Sequence, residues 1–247
     1  MVMASVECKN CNLLYDGKYC PGCGQSADQT RFTMKKLGDE FIHGFFHIHK
    51  GFIFTIKQLL LHPGKMLQGY LKGQRVNYFN PFNFLIMISL AGGFFYTRSG
   101  IVEFINANFQ AAGDIISFTS GHFSYRFLMV IPTYAVSCLI LFRPFRYNLA
   151  EHLIINTFVI SQSIVLMMIW SIVALILKPG ESTFTILYFL AFITVIIYQT
   201  YVFFQLFDSG NKILRGIKSI TAVLFGLMLS ILLSVLLVKL LNYLGLR

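Results

Sequence analysis

Long apolar stretches dominate the chain after residue 80, and they limit the available folds more than any other feature. A helix needs about 20 mainly apolar residues to cross the hydrocarbon core of a bilayer. We therefore predict an all-α membrane protein with about five transmembrane helices. The predicted spans are residues 81–97, 123–142, 153–177, 183–207 and 220–244, and the first is the shortest.

The overall composition agrees with a membrane protein. The 247 residues are 56% hydrophobic and only 12% charged, which is too apolar for an ordinary soluble domain. Residues 1–10 contain no apolar segment, so we expect internal spans, and not a cleavable signal peptide, to drive insertion.

Positive charge is distributed unevenly between the predicted loops. Ten Lys and Arg residues precede the first span, two lie in the second loop and three in the fourth, which makes fifteen on one side. The other side carries only three. Because cytoplasmic flanks collect Lys and Arg, we expect a cytosolic N-terminus and a C-terminus outside the cell.

A four-cysteine array near the N-terminus is the second strong signal. Cys8, Cys11, Cys20 and Cys23 form two Cys-x2-Cys pairs separated by eight residues. Two such pairs can close a tetrahedral site of four thiolates, and structural zinc is the usual metal at this spacing. Disulfides or inert thiols are the alternatives, but a cytosolic position disfavours disulfides. We predict one structural zinc ion in a ribbon over residues 1–30.

The net charge of +10 raises the option of nucleic-acid binding. Within residues 1–30, however, Lys9 and Lys18 are outnumbered by three carboxylates, so the ribbon is poorly suited to phosphate backbones. The basic excess lies in residues 31–75, beside the first span, which is typical of a segment at the cytoplasmic lipid surface. We therefore expect the lipid bilayer and a cytosolic or membrane protein as partners, and not nucleic acid.

Residues 31–80 are predicted to form amphipathic juxtamembrane helices between the ribbon and a multi-pass bundle over residues 81–247. Apolar residues recur every three to four positions from Leu37 to Leu59, which indicates a helix with one apolar face. A break is expected near Gly51. This segment is predicted to lie along the inner leaflet or to pack under the bundle.

A motif rich in Gly, Pro and aromatic residues leads into the first span. Pro63 suits the start of a helix, and Gly73 suits its end. The later residues of the motif stand where the chain enters the bilayer, as expected for headgroup contact. We interpret the motif as an interfacial docking platform. Its members are Pro63, Gly64, Gly73, Arg75, Tyr78 and Pro81.

Two weaker polar patterns could carry function. Glu40, His43 and His47 share one helical face, which would suit a second metal or a solvated polar stripe. Gln162 and Gln199 lie within the third and fourth spans, where they could line a path for a solute. Hydrogen bonds between helices account for these two side chains adequately.

The sequence selects no enzymatic reaction. A nucleophile with a base, a phosphate-binding glycine loop and paired carboxylates do not occur at motif spacing. Glu151 and His152 are adjacent at the start of the third span, but adjacent helical residues point apart, so two separate contacts are favoured. A membrane-embedded enzyme would need this pair, or His43 and His47, to converge in one pocket.

The cysteine array and the motif together resemble a bacterial family catalogued only as a domain of unknown function. Members of that family pair an N-terminal zinc ribbon with a similar motif before several membrane helices. The resemblance covers residues 8 to about 85, and it implies a metal site and a bacterial inner-membrane location without an activity. The matching residues are the four cysteines, Pro21, Gly22, Gly24, Gln25, Arg31, Thr55, Leu59, Leu60, Pro63, Gly64, Tyr70, Gly73, Arg75, Tyr78, Asn80, Pro81 and Phe82.

Two functional hypotheses follow from these features. The first is a multi-pass inner-membrane protein whose cytosolic zinc ribbon docks a partner, or the underside of its own bundle, as a scaffold. The alternative is a transporter, channel or lipid-handling protein in which the ribbon acts as a gate. The alternative requires a polar cavity around Gln162 and Gln199.

Overall fold

The computed structural model describes residues 6–43, 51–101, 123–208 and 210–244. These residues form a small antiparallel sheet at the N-terminus, followed by eight α-helices. The strands are β1 (Val6–Glu7) and β2 (Leu14–Tyr15), with Val6 opposite Tyr15. The helices are α1 (Met34–His43), α2 (Phe52–Leu61), α3 (Pro63–Lys72), α4 (Pro81–Arg98), α5 (Phe123–Leu141), α6 (Leu149–Leu177), α7 (Glu181–Leu206) and α8 (Lys212–Tyr243).

Three helices of the described residues, α6, α7 and α8, are long and apolar enough to cross a membrane. They correspond to the last three predicted spans. The first two predicted spans correspond to α4 and α5, which are helical but are not among these three. A mostly helical protein with candidate membrane spans is therefore confirmed, whereas the predicted total of five transmembrane helices is not.

Helix α6 is the centre of the bundle. It packs against α4, α5 and α7, and 50% of the residues in its most apolar stretch are buried. Helix α8 packs against α5 and α7, but only 22% of the residues in its most apolar stretch are buried. Because α8 leaves most of its leucine and isoleucine side chains exposed, it suits a position facing lipid.

Helices α2 and α3 share one hydrophobic core with the long helices. Leu59, Met66 and Leu67 are fully buried in that core. The hydroxyl of Tyr198, in α7, donates a hydrogen bond to the carbonyl oxygen of Leu59 at 3.2 Å. The juxtamembrane helices are therefore packed on the bundle and are not a separate surface layer.

The predicted turns around α2 and α3 are confirmed. Gly51 precedes α2 with φ of 130°, a conformation that glycine adopts most readily. Pro63 is the first residue of α3, and Gly73 ends this helix in the left-handed conformation. Local sequence chemistry thus determines where these two helices begin and end.

Candidate metal centre and its junction with the helices

The first cysteine pair lies on a tight turn that continues the β1–β2 hairpin. The N–H of Cys8 donates to the carbonyl of Leu13 at 2.9 Å, and the N–H of Asn12 donates to the carbonyl of Cys8 at 2.8 Å. Asn12 has φ of 60°, which asparagine tolerates better than most residues. This turn brings Cys8 and Cys11 to the same side of the hairpin.

The second cysteine pair repeats the same backbone pattern twelve residues later. The N–H of Cys20 donates to the carbonyl of Gln25 at 2.8 Å, and the N–H of Gly24 donates to the carbonyl of Cys20 at 2.8 Å. Gly24 has φ of 76° at the place that Asn12 occupies in the first turn. The ribbon therefore consists of two equivalent cysteine-bearing turns.

The two turns face each other and bring four sulfur atoms together. The Sγ atoms of Cys8, Cys11, Cys20 and Cys23 all lie within 4.8 Å of one another. The Cys8–Cys23 and Cys11–Cys20 pairs are each separated by 3.5 Å. Four sulfurs around a tetrahedral ion with metal–sulfur bonds of about 2.3 Å are about 3.8 Å apart. The described cysteines are free thiols, so this site fits one metal ion.

The environment of the thiols favours deprotonation at one corner of the site. Cys8 and Cys20 are buried, whereas Cys11 is exposed. Burial raises the pKa of the Cys8 thiol, but N–H groups of Asn10 and Cys11 outweigh it and lower that pKa to about 6. A backbone hydrogen bond at Leu13 lowers the pKa of the Cys11 thiol, but its hydrogen bond with Sγ of Cys20 and burial outweigh it and raise that pKa to about 12. Because metals bind the thiolate form, metal binding at neutral pH releases the proton of Cys11.

The ribbon is attached to the end of α3 by hydrogen bonds and close contact. The backbone N–H of Arg75 donates to Oε1 of Gln25, a buried residue of the second turn, at 3.2 Å. The ammonium group of Lys9 donates to the carbonyl of Gln29 at 2.5 Å, and both side chains lie against Gly73. A Cβ added at Gly73 would lie 2.9 Å from Cδ of Lys9. Gly73, the C-cap of α3, thus forms part of the surface on which the ribbon packs.

Arg75 continues this attachment into the linker after the ribbon. Its guanidinium group lies over the ring of Phe32 at 3.7 Å, and it donates hydrogen bonds to the carbonyls of Tyr70 and Thr30. Phe32 is fully buried and stacks on Tyr70, with ring centroids 6.0 Å apart. The predicted interfacial arginine therefore makes contacts within the protein.

Arg31 connects the linker to the start of α6. Its Nε and Nη2 atoms donate to the two carboxylate oxygens of Glu151, both at 2.7 Å, and Nη2 also donates to the carbonyl of Arg146 at 2.6 Å. The carboxylate of Glu151 also accepts the N–H of Asn148, whose side chain accepts the N–H of Glu151 in return. Hydrogen bonding to Glu151 raises the pKa of Arg31 further. Ribbon and bundle are thus joined at the N-cap of α6.

The structure places Glu151 and His152 in different surroundings, as the sequence predicted. Glu151 pairs with Arg31, whereas His152 is fully buried beside the rings of Tyr147 and Phe207. No sequence pattern predicted the Arg31–Glu151 pair. The Asn148-x2-Glu151 spacing is a capping-box signal that could have assigned Glu151 to a helix start.

The remaining residues of the predicted docking platform form a joint between helices. Pro63 is buried, and a Cβ added at Gly64 would lie 2.7 Å from the backbone of Gln205 in α7. Tyr78 packs edge-on against Tyr70, with ring centroids 6.3 Å apart. Pro81 is the buried first residue of α4, so the motif spans α3, the loop after it and the start of α4.

The second predicted polar site consists of residues whose side chains the structure does not describe. Glu40 and His43 lie in α1, but the structure does not describe their side chains, and His47 lies outside the described residues. In the described part of the chain, the four-cysteine cluster is the only group of three or more Cys, His, Asp or Glu suited to a metal. The hypothesis of a second metal therefore stays a prediction.

Gln162 and Gln199 are both buried between the long helices. The amide nitrogen of Gln199 donates to the hydroxyl of Ser163 at 3.1 Å. Within the described residues, the carbonyl oxygens of both glutamine side chains have no hydrogen-bond partner. A polar cleft near the start of α3 and a small apolar pocket beside Trp170 are lined by other residues.

Fold and site together define a mostly helical protein with candidate membrane spans and an N-terminal four-cysteine cluster able to hold a metal. Over residues 50–91, the chain is similar to a family described as "Protein of unknown function (DUF3667)". The match contains α2, α3, the start of α4 and every member of the predicted docking platform. No curated protein and no solved structure is significantly similar to the chain.

Proposed function

We propose that this chain is a multi-pass protein of the bacterial inner membrane in which a structural zinc ribbon serves as a cytosolic scaffold module. The ribbon holds the linker and juxtamembrane helices against the bundle and docks a protein partner. The observation that carries this proposal is the paired hydrogen bonding between Arg31 and Glu151, because it ties the chain leaving the ribbon directly to α6.

Zinc is the ion that we propose for the cysteine site. All four donors are cysteine sulfurs, and they lie close enough together to coordinate one ion tetrahedrally. Four cysteine ligands are typical of structural zinc. No position is left for a water molecule or substrate when four cysteines coordinate, so the proposed role is structural. When bound, zinc supplies folding energy to a ribbon whose apolar cluster consists mainly of Tyr15 and the cysteines themselves.

Helices α4 and α5 complete the proposed set of five spans. With five crossings, the excess of Lys and Arg lies on the ribbon side, which supports a cytosolic N-terminus and an external C-terminus. The contact of the ribbon with the end of α3, and that of Arg31 in the linker with the start of α6, also support a ribbon position at the cytosolic end of the bundle.

The outer surface of the ribbon supports the docking of a protein partner. Leu14 and Tyr19 are 66% and 68% exposed, and Leu13 beside them is 43% exposed. Exposed apolar and tyrosine side chains are favourable in protein contacts, whereas the neighbouring carboxylates of Glu7 and Asp16 disfavour nucleic acid.

The test of this proposal uses the full-length protein purified in detergent. Metal content is measured by plasma mass spectrometry, and bundle stability by thermal unfolding. We expect one zinc per chain in the wild type, with loss of zinc and a lower unfolding midpoint in Cys20→Ser. Cys138→Ala, which changes a cysteine outside the cluster, is the control and should keep its zinc. Unchanged metal content, midpoint and partner binding in Cys20→Ser would contradict the proposal.

A transporter gated by the ribbon is the second candidate. It is favoured by one observation, namely that Asn156, Gln162 and Gln199 each have a buried side-chain oxygen without a partner among the described residues. Polar groups inside a membrane bundle often mark a solute path. Solute flux into proteoliposomes that is abolished by Gln162→Leu would favour this candidate over the scaffold.

A further inference from the structure

A polar cleft of about 280 Å³ opens where the start of α3 meets the end of α7 and the start of α8. Its lining includes His62 and Lys65 from one side, and Asp208 and Arg215 from the other. Only three residues connect α6 to α7, and Phe207, just after α7, lies beside His152 in the first turn of α6. The end of α7 therefore lies at the same end of the bundle as the Arg31–Glu151 pair. The cleft is separate from the cysteine site.

Arg215 is the buried cation of this cleft. Its side chain is only 9% exposed, and its guanidinium group lies 4.0 Å from the ring centroid of Phe204. It forms an ion pair with Asp208, whose side chain is 72% exposed. Within the described residues, however, the Nε of Arg215 has no hydrogen-bond partner. A buried guanidinium with one unused N–H donor is less stable than one whose donors are all satisfied by acceptor oxygens.

The N-terminus of α3 adds positive potential to the same cleft. The first N–H groups of a helix lack partners within the helix and favour an anion. His62 provides no side-chain cap, and the N–H of Gly64 has only a long hydrogen bond, 3.4 Å, to Oε1 of Gln205. Lys65 lies in this first turn and makes no ion pair with any other described residue. Pro63, the first residue of α3, has no N–H, so the donors that this terminus offers to a phosphate are the N–H and the ammonium group of Lys65.

We propose that this cleft binds a phosphate group. Asp208 offsets one of the two cations, so Lys65 and the helix terminus leave the cleft positive overall. The cleft lies where α7 ends and α8 begins, which is the proposed cytosolic boundary of the bilayer and the depth of lipid headgroups. The phosphate therefore comes either from an anionic phospholipid headgroup or from a soluble phosphate, and experiment distinguishes these sources.

The experiment measures binding to the full-length protein with two probes. Inorganic phosphate is titrated against the protein in detergent, and phosphatidylglycerol is offered in nanodiscs of phosphatidylcholine. Binding is followed by the rise in unfolding midpoint with probe concentration, and lipid retention by native mass spectrometry. The variants are Lys65→Gln and Arg215→Gln. Lys72→Gln is the matched control, because it removes the same charge from the opposite end of α3.

We expect Lys65→Gln to weaken binding about tenfold, since it removes one charge-assisted hydrogen bond, and Arg215→Gln to weaken it further. Lys72→Gln should bind as the wild type does. A response to phosphatidylglycerol alone identifies a lipid, and a response to inorganic phosphate identifies a soluble ligand. If neither probe binds, or if Lys72→Gln weakens binding as much as Lys65→Gln, the proposal is overturned. If Arg215→Gln does not fold, the binding measured for Lys65→Gln tests the proposal, because Lys65 is exposed and its substitution should not disturb folding.

Discussion

Arg31 and Glu151, which are 120 residues apart in the chain, form a two-pronged ion pair at the first turn of α6. The side chain of Glu151 is only 4% exposed, whereas that of Arg31 is 59% exposed. The carboxylate therefore depends on its donors, because a buried charge without them is unfavourable. This pair makes the linker after the ribbon a structural part of the bundle.

We expect Glu151→Gln to lower the free energy of unfolding by about 1–2 kcal/mol, since the exposed position of Arg31 screens part of the interaction. Arg31→Gln should lower it by more, because this substitution leaves the buried carboxylate of Glu151 without its cation. A double-mutant cycle measured by thermal unfolding should give a coupling energy of about 1 kcal/mol. Arg146→Gln is the control, because Arg146 contributes only its backbone carbonyl. Fully additive effects would contradict a direct interaction.

Gly64→Ala should destabilise the joint between α3 and α7. The new Cβ would lie 2.7 Å from the backbone of Gln205, so one helix must shift, at a cost of about 1–3 kcal/mol. Gly38→Ala is the matched control, because a Cβ there meets no atom within 4 Å. The control should be stabilised by up to about 1 kcal/mol through helix propensity. Equal unfolding midpoints for the two variants would argue against a close approach at Gly64.

Removal of the metal should expose four thiols and leave the helices folded. We expect the metal-loaded protein to resist a thiol reagent, and the chelated protein to react at Cys8, Cys11, Cys20 and Cys23. Cys138 should stay protected, since it is fully buried in the bundle. Thiol counting and far-ultraviolet circular dichroism check this result. Rapid reaction of all four cysteines before chelation would mean that they do not hold a metal.

Arg75→Ala should loosen the ribbon without removing its metal. The substitution removes the guanidinium contact with Phe32 and the hydrogen bonds to Thr30 and Tyr70, but none of the cysteines. We expect faster hydrogen exchange in residues 16–33 and an unchanged metal content. Lys72→Ala, on the exposed side of the same region, is the control. Loss of metal in Arg75→Ala would instead mean that Arg75 is required for the cysteine site to fold.

Gln199→Met should be neutral or slightly stabilising, within about 1 kcal/mol. It removes a buried carbonyl oxygen that lacks a partner in the described structure, at the expense of one hydrogen bond to Ser163. The scaffold hypothesis predicts an unchanged unfolding midpoint and normal metal content. A folded variant that has lost solute flux would favour the transporter.

Local patterns predicted a large part of this architecture. The bounds of α3 were predictable from Pro63 and Gly73, because a fixed φ and a left-handed end are properties of single residues. The contacts of Arg75, in contrast, were not predictable from local patterns. Charge and position favoured lipid headgroups, whereas the structure places its guanidinium over Phe32, a contact that depends on distant backbone.

The sequence by itself determined a mostly helical chain with candidate membrane spans and the four cysteines that could hold a metal. Both depend on spacing over a few turns of chain, where apolar runs and paired cysteines act locally. Only the tertiary structure decided that Arg31 meets Glu151 and that Lys65 and Arg215 share one cleft. These contacts join residues more than a hundred positions apart, and helix packing, which no local pattern encodes, brings them together.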